Sequence, residues 1–378
     1  MRKIFKYITV LILFGLLGLV GYHYYGIYQK HLAANARIEA RPPVQKVAGT
    51  SISPAFHSNL AFERNLERKY PFIAQAAFKT PQAASWGKQY VVPGLLSTRS
   101  YDFEEQKLTP AHNMTPQGLT IAGNYVLISA YDGDYIHSSV IYVLELKTGK
   151  FIKTIILPGR PHAGGLAYDP VGKKIWITGS KDEGAILASF SLSKLEAFDY
   201  EKNHQPIKYD VNIMLPTLER ASTVTYFDNQ LFVAFFNVYD KGRVESFNIA
   251  RSGPQKNSIT DEEIKQSTGL SMSYASGQTM ISNQIQGIAV TSEHIFLTKS
   301  YGGSNSKLYI FPISAARNLN EKNAEHVIEM PPYLEQVYAK GNQLMFLFES
   351  GAKKYARDTI TIMDRVLSMN LNGLLNSF

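Results

Sequence analysis

The chain of 378 residues contains no cysteine and only 2 tryptophans. Without a thiol there is no disulfide framework, no thiolate metal site, no catalytic cysteine and no lipid attachment of the bacterial lipoprotein kind. Catalytic signatures are missing too. The sequence has no GxSxG elbow, P-loop, HExxH helix or EF-hand loop, and Asp132-Gly133-Asp134 stands without the further acids that calcium requires. The 9 histidines are scattered, no two of them at zinc-ligand spacing on one element. There is no basic helix and no RNP-like aromatic motif, so nothing supports nucleic-acid binding. Apolar residues make up 45% of the chain, which excludes a mostly disordered polymer. A cysteine-free exported protein fits a Gram-positive cell surface.

What the sequence does contain is a repeat. Gln117-Gly118-Leu119-Thr120-Ile121, Gly164-Gly165-Leu166-Ala167-Tyr168, Ser222-Thr223-Val224-Thr225-Tyr226, Gln286-Gly287-Ile288-Ala289-Val290 and Glu335-Gln336-Val337-Tyr338-Ala339 each open an alternating apolar strand. Each leads through a short turn into a second strand. A period of roughly 45 to 65 residues with several short strands per unit describes a β-propeller blade. Inner strands converge on a central axis, which favours small or polar residues at their starts. Alternation then sends Leu119/Ile121, Leu166/Tyr168, Val224/Tyr226, Ile288/Val290 and Val337/Ala339 between blades. The expected fold is all-β: a five-bladed β-propeller over residues 86–378, closed by pairing of Arg365 to Leu371 with the early strand at Gln89 to Val92. Six blades is the alternative if that early strand begins its own blade. An open sandwich has no reason to repeat its strand openings at this period.

The N-terminus sets the expected compartment. Arg2, Lys3 and Lys6 precede an apolar run from Ile8 to Val20 that continues into Tyr22, Tyr24 and Tyr25. The stretch approaches the ~20 residues that cross a bilayer, and its basic flank stays inside. Residues 1–28 therefore read as a cytoplasmic tip and transmembrane anchor, with membrane contact through residues 8–25 and the propeller outside. The rival reading is secretion after cleavage near Ala34-Asn35-Ala36, although Gln29, Lys30 and His31 place that site far from the apolar run. Residues 29–85 read as a linker marked by Pro42-Pro43 and a short helical stalk. Ser53-Pro54 opens the helix, and Phe56, Leu60, Phe62 and Leu66 form its apolar stripe.

The net charge is +8, and most of that excess lies beyond the membrane segment. It suits an anionic wall polymer or lipid headgroups, or serves solubility alone. If the repeats are in register, Gln117, Gln286 and Glu335 stand at inner-strand starts, while Asp132, Tyr301 and Glu349 follow second strands near one mouth of the channel. Glu335 and Glu349 are separated by a single hairpin and are expected to form a carboxylate pair with one raised pKa. His162 sits at the mouth of the second repeat, where a structural role competes with a ligand-facing one. The residues singled out for ligand binding are therefore Gln117, Asp132, His162, Gln286, Tyr301, Glu335 and Glu349. No catalytic or metal-ligating set is assigned, and the cofactor is left open, with a divalent metal in the channel as one option.

Thr115-Pro116-Gln117-Gly118-Leu119, Ser138-Ser139-Val140, Glu145-Leu146-Lys147-Thr148-Gly149-Lys150 and His162-Ala163-Gly164-Gly165-Leu166 resemble the first two blades of the plant- and bacterial-type glutaminyl cyclases. The resemblance implies a five-bladed propeller. The family carries a glutamate on the strand after its QGL segment, where this chain has Ile128 within Ile128-Ser129-Ala130-Tyr131. The family's second-blade Phe-Gly-Glu-Gly stands here as His162-Ala163-Gly164-Gly165. Without that acid, proton transfer at an amine and amide lacks its agent. The fold carries over and the activity does not.

Two classes of function stay open. One is a membrane-anchored extracellular propeller of the bacterial envelope that binds a peptide, a glycan, a wall polymer or another envelope protein at its channel mouth. The other is an extracellular enzyme, either a cyclase-like acyl transferase or a metal-assisted hydrolase or lactonase. The absence of an evident acid/base or metal set favours binding.

Overall fold

The computed structural model describes residues 2–39, 45–52, 58–81, 86–181, 184–215, 218, 220–268, 278–356 and 362–376. The chain divides into two compact units, 1–43 and 44–378. The first consists of the helix Arg2–Glu39. Its stretch Thr9–Gln29 is long and apolar enough to cross a membrane, by length and composition, a test that a signal sequence also passes.

The second unit is a five-bladed propeller of four-stranded antiparallel sheets. Blade 1 is built from Met114–Ala122, Tyr125–Asp132, Val140–Glu145 and Phe151–Ile156. Blade 2 uses Leu166–Asp169, Lys174–Lys181, Gly184–Ser191 and Val211–Leu215; blade 3 uses Ala221–Phe227, Gln230–Phe235, Gly242–Asn248 and Gln278–Ile281. Blade 4 comprises Ile285–Val290, His294–Lys299, Ser306–Pro312 and His326–Met330. Blade 5 takes Leu334–Lys340, Gln343–Phe348 and Arg365–Asn370 from the end of the chain and Gln89–Val91 from its beginning. Arg365 pairs with Val91, and Leu367 with Gln89. The early strand thus completes the last blade instead of starting a sixth, and the two ends of the propeller close the ring within one sheet.

The alternating apolar sets pack between blades as the pleat requires. Leu119 and Ile121 meet Met345 and Leu347 of blade 5. Leu166 meets Leu127 and Ile141 of blade 1, and Val224 meets Trp176 and Leu187 of blade 2. Ile288 and Val290 meet Ala234 and Val244 of blade 3, and Val337 meets Phe296 and Leu308 of blade 4. Each layer is held by the burial of branched and aromatic side chains, about 1.5–3 kcal/mol apiece.

A helix over Asn59–Lys69 leans on this ring. Ser58 caps it, its Oγ accepting from the Ala61 amide at 3.3 Å. The expected opening at Ser53-Pro54, together with Phe56, lies outside the described residues. Of the expected stripe, Phe62 and Leu66 are buried against blades 4 and 5, whereas Leu60 is 58% exposed because it points away from that contact. A fully buried arginine fixes the docking. The Nη1 of Arg365 donates to Asn59 Oδ1 at 2.9 Å and to Gln89 Oε1 at 3.2 Å, and its guanidinium lies 4.1 Å from the Phe62 ring centroid. Asp364, equally buried, accepts from Arg365 Nε at 2.6 Å.

Candidate functional site

The five inner strands carry matched residues where they approach the axis: Gly118, Gly165, Thr223, Gly287 and Gln336, each immediately before the apolar residue that enters the core. In four blades the pairing register shifts at this point, which bends the strand inward. Neighbouring backbones come so close that a Cβ on Gly165 would stand 2.4 Å from the Val224 nitrogen, and one on Gly287 would stand 2.6 Å from the Glu335 carbonyl oxygen. Hydroxyls stitch the layer together. Ser129 Oγ accepts from the Gly118 amide at 2.8 Å and donates to the Ala163 carbonyl of blade 2 at 2.7 Å, while Thr298 Oγ1 donates to the Glu335 carbonyl of blade 5 at 2.6 Å.

The fifth blade breaks the small-residue rule, and its long side chain spans the axis. Gln336 Oε1 accepts from the Leu119 and Leu166 amides at 2.7 and 3.1 Å. Its Nε2 donates to the Leu166 and Val224 carbonyls, both at 3.0 Å. One amide therefore joins blade 5 to blades 1, 2 and 3 and stands between the two mouths of the channel.

Directly before Gln336 lies the acid pair. Glu335 and Glu349 are both buried and hydrogen-bonded to each other, and Gln117 Nε2 donates to Glu349 Oε2 at 2.9 Å. Burial, followed by the charge of Glu349, raises the Glu335 carboxyl well above the ordinary carboxylate range. Burial also pushes Glu349 up to about 7, while hydrogen bonds from Glu335 and Gln117 and the nearby Lys354 charge pull the other way. The pattern describes one proton held between two carboxyls. Glu335 carries it and donates to Glu349, which accepts from the Gln117 amide as a carboxylate.

Aromatic rings surround this pair. The Tyr131 and Tyr355 hydroxyls are hydrogen-bonded to each other, and both are raised by burial and then by the Glu349 charge. Tyr333 packs on Tyr355 with centroids 4.8 Å apart; His162 and Tyr135 pack on Tyr131 at 4.4 and 5.6 Å. Lys354 Nζ lies 5.0 Å from the Tyr355 ring centroid and 3.5 Å from the Tyr131 hydroxyl. His162 keeps an exposed edge, yet the protein around its ring and the charges of Lys354 and Arg220 lower it to about 4, so it is neutral at physiological pH.

The structure thus brings Gln117, Glu335 and Glu349 into direct contact and joins His162 to them through Tyr131. Asp132 is turned elsewhere. Its Oδ2 accepts from the His137 amide at 3.0 Å and bonds His137 Nδ1 at 2.8 Å, holding the loop that closes blade 1. The cause is local: the carboxylate satisfies the amides of its own turn before it can reach the axis. Gln286 is partly buried at the matching point of blade 4, one residue before the Gly287 that approaches the Glu335 carbonyl. Tyr301 is 57% exposed in the loop after the second strand of that blade. Gln336, Tyr131, Tyr355 and Lys354 were not singled out from the sequence. The one available signal was a long polar residue in the repeat position occupied elsewhere by glycine or threonine. Among the described residues, no third His, Asp or Glu joins the acid pair in a group that could hold a metal.

No protein-family profile matches the chain, and no curated protein matches it. Solved structures match it in part at low identity. A nidogen/laminin complex matches at 14% identity over 74% of this chain and 89% of that one, with a TM-score of 0.38. The Dos1 propeller matches at 9% identity over 67% and 59%, with a TM-score of 0.33. Hydrazine synthase of Kuenenia stuttgartiensis matches at 11% identity with a TM-score of 0.33; the match covers 61% of this chain and only 55% of that one. The glutaminyl-cyclase likeness has no counterpart among these.

Proposed function

We propose that this chain is a membrane-anchored binding protein of the bacterial cell envelope, its propeller outside, which captures a polar ligand bearing an amine at the mouth formed by Glu335 and Glu349. The observation that carries this reading is the buried acid pair near the axis with tyrosine rings and Lys354 around it. Two carboxyls sharing one proton offer an ammonium a charge-assisted hydrogen bond once that proton leaves, and tyrosine faces attract cations. The apolar N-terminal helix and its basic flank support an anchored, outward-facing propeller, and the cysteine-free composition supports an exported protein. Titrating the full chain with an aliphatic diamine, alongside Glu335→Gln and Glu349→Gln, tests the reading.

A second reading rests on the carboxyl of Glu349 being pushed up to about 7. An acid poised near neutrality suits general acid/base chemistry, so the same mouth would serve an enzyme that moves a proton to or from an amine or amide. Turnover of a glutaminyl peptide by the full chain, lost in Glu349→Gln, is its test.

A further inference from the structure

The axis has a second mouth. At the far ends of the inner strands a cavity of about 500 Å³ is lined by residues from all five blades. It is separate from the acid pair: in blade 5 Glu335 lies before Gln336 and Tyr338 beyond it, and the Gln336 amide crosses the axis between them. The volume falls within the range of small-molecule sites.

Its chemistry differs from that of the first mouth. Tyr168, Tyr226 and Tyr338 provide ring surface and Thr120 and Thr225 provide hydroxyl-bearing side chains, while the Thr291 hydroxyl is engaged by its own turn at His294. The only ionisable side chains other than tyrosine are Asp228 and Lys340, one of each sign, so the lining carries no net charge. Tyrosine rings stack on apolar C–H faces, while threonine and tyrosine hydroxyls both donate and accept. A ligand matching all three features is uncharged, has flat apolar faces and carries many hydroxyls that donate and accept in turn.

We propose that this cavity binds a short neutral carbohydrate, independently of the ligand at the acid pair. Trp86 packs on Tyr338 with ring centroids 6.0 Å apart, so in a Trp176→Phe background, where it is the one tryptophan, its fluorescence reports on the cavity wall. The test uses the full chain in a detergent without a sugar headgroup. Cellobiose, maltose and chitobiose are titrated by saturation-transfer NMR and by Trp86 fluorescence. At least one is expected to bind. Thr225→Val should weaken it about fivefold, the factor of one neutral hydrogen bond, and Ala339→Trp, which fills the cavity, should abolish it. Glu335→Gln should leave it unchanged, which separates this site from the proposed amine site. The proposal is overturned if none of the three sugars binds up to roughly 10 mM. It is also overturned if affinity is the same in a folded Thr225→Val protein, a criterion that holds even where Ala339→Trp fails to fold.

Discussion

The amide nitrogen of Gln117 lies 2.9 Å from Oε2 of Glu349, a hydrogen bond between residues 232 positions apart. It joins the first repeat to the last at the point where Glu349 already meets Glu335. The mouth of the axis is therefore built from both ends of the propeller: the acid pair belongs to the hairpin of the last blade, and Gln117 reaches it only once the ring has closed.

The pair ties stability to pH with a definite sign. Both carboxyls are raised from an ordinary value of 4.5, Glu349 to about 7 and Glu335 well above 4.5. The folded protein keeps a proton that the unfolded chain releases above 4.5, so this contribution is present below that pH and is lost as pH rises through 7. Glu335→Gln retains a donor to Glu349 without an ionisable proton. It should be more stable relative to the parent at pH 8 than at pH 5. Denaturant unfolding of both proteins at the two pH values checks this, and the difference between them cancels the opposing titration of His162.

Gln336 predicts a stability effect with no counterpart at the equivalent glycines. Gln336→Ala removes four hydrogen bonds to the backbone of three other blades. The loss should be about 3 kcal/mol or more, since buried groups of the inner strands lose their partner. Thermal and urea unfolding of this variant measure it.

Arg365 is expected to be as costly to remove. Arg365→Ala leaves the buried Asp364 without this cation and detaches Asn59 and Gln89 from the closing strand. A loss of about 3–5 kcal/mol is expected, with only partial recovery in Arg365→Lys, which lacks the planar fork. Hydrogen exchange should show early opening at Gln89–Val91 and at the helix Asn59–Lys69 in the variant.

The N-terminal helix predicts topology. If Thr9–Gln29 spans a membrane with Arg2, Lys3 and Lys6 inside, protease added to intact cells should remove nearly all of the chain. Protection of the C-terminal part contradicts that orientation.

The architecture was legible because the axis imposes the same steric demand five times. Small or polar residues at the starts of alternating strands mark blade number and register, and the Arg365 segment beside Gln89 marks closure. The helix start was less legible, since Ser58 and Ser53-Pro54 both carry capping chemistry. In the candidate site, spacing put Gln117, Gln286 and Glu335 at inner-strand starts and Asp132, Tyr301 and Glu349 after second strands, and of these six Gln117, Glu335 and Glu349 come into contact because strand starts and ends meet there by topology. Spacing could not say that the Asp132 side chain turns back into its own loop, a matter of turn geometry. Nor could it reveal Tyr355 and Lys354, which arrive from the irregular connection after Glu349, or the span of Gln336, whose length matters only against four neighbours of small size.

The central claim, that the acid pair receives an amine, meets its most direct test in calorimetric titration of the full chain with an aliphatic diamine at pH 6 and pH 8. An ammonium is held by a carboxylate and not by a carboxylic acid, so affinity should rise with pH as Glu349 ionises through about 7, and binding should release protons. Glu335→Gln and Glu349→Gln should each lose about 1.5–3 kcal/mol of binding while remaining folded. Binding that is absent at both pH values, or equal in the parent and both variants, contradicts the account and leaves Glu335 and Glu349 as a structural pair.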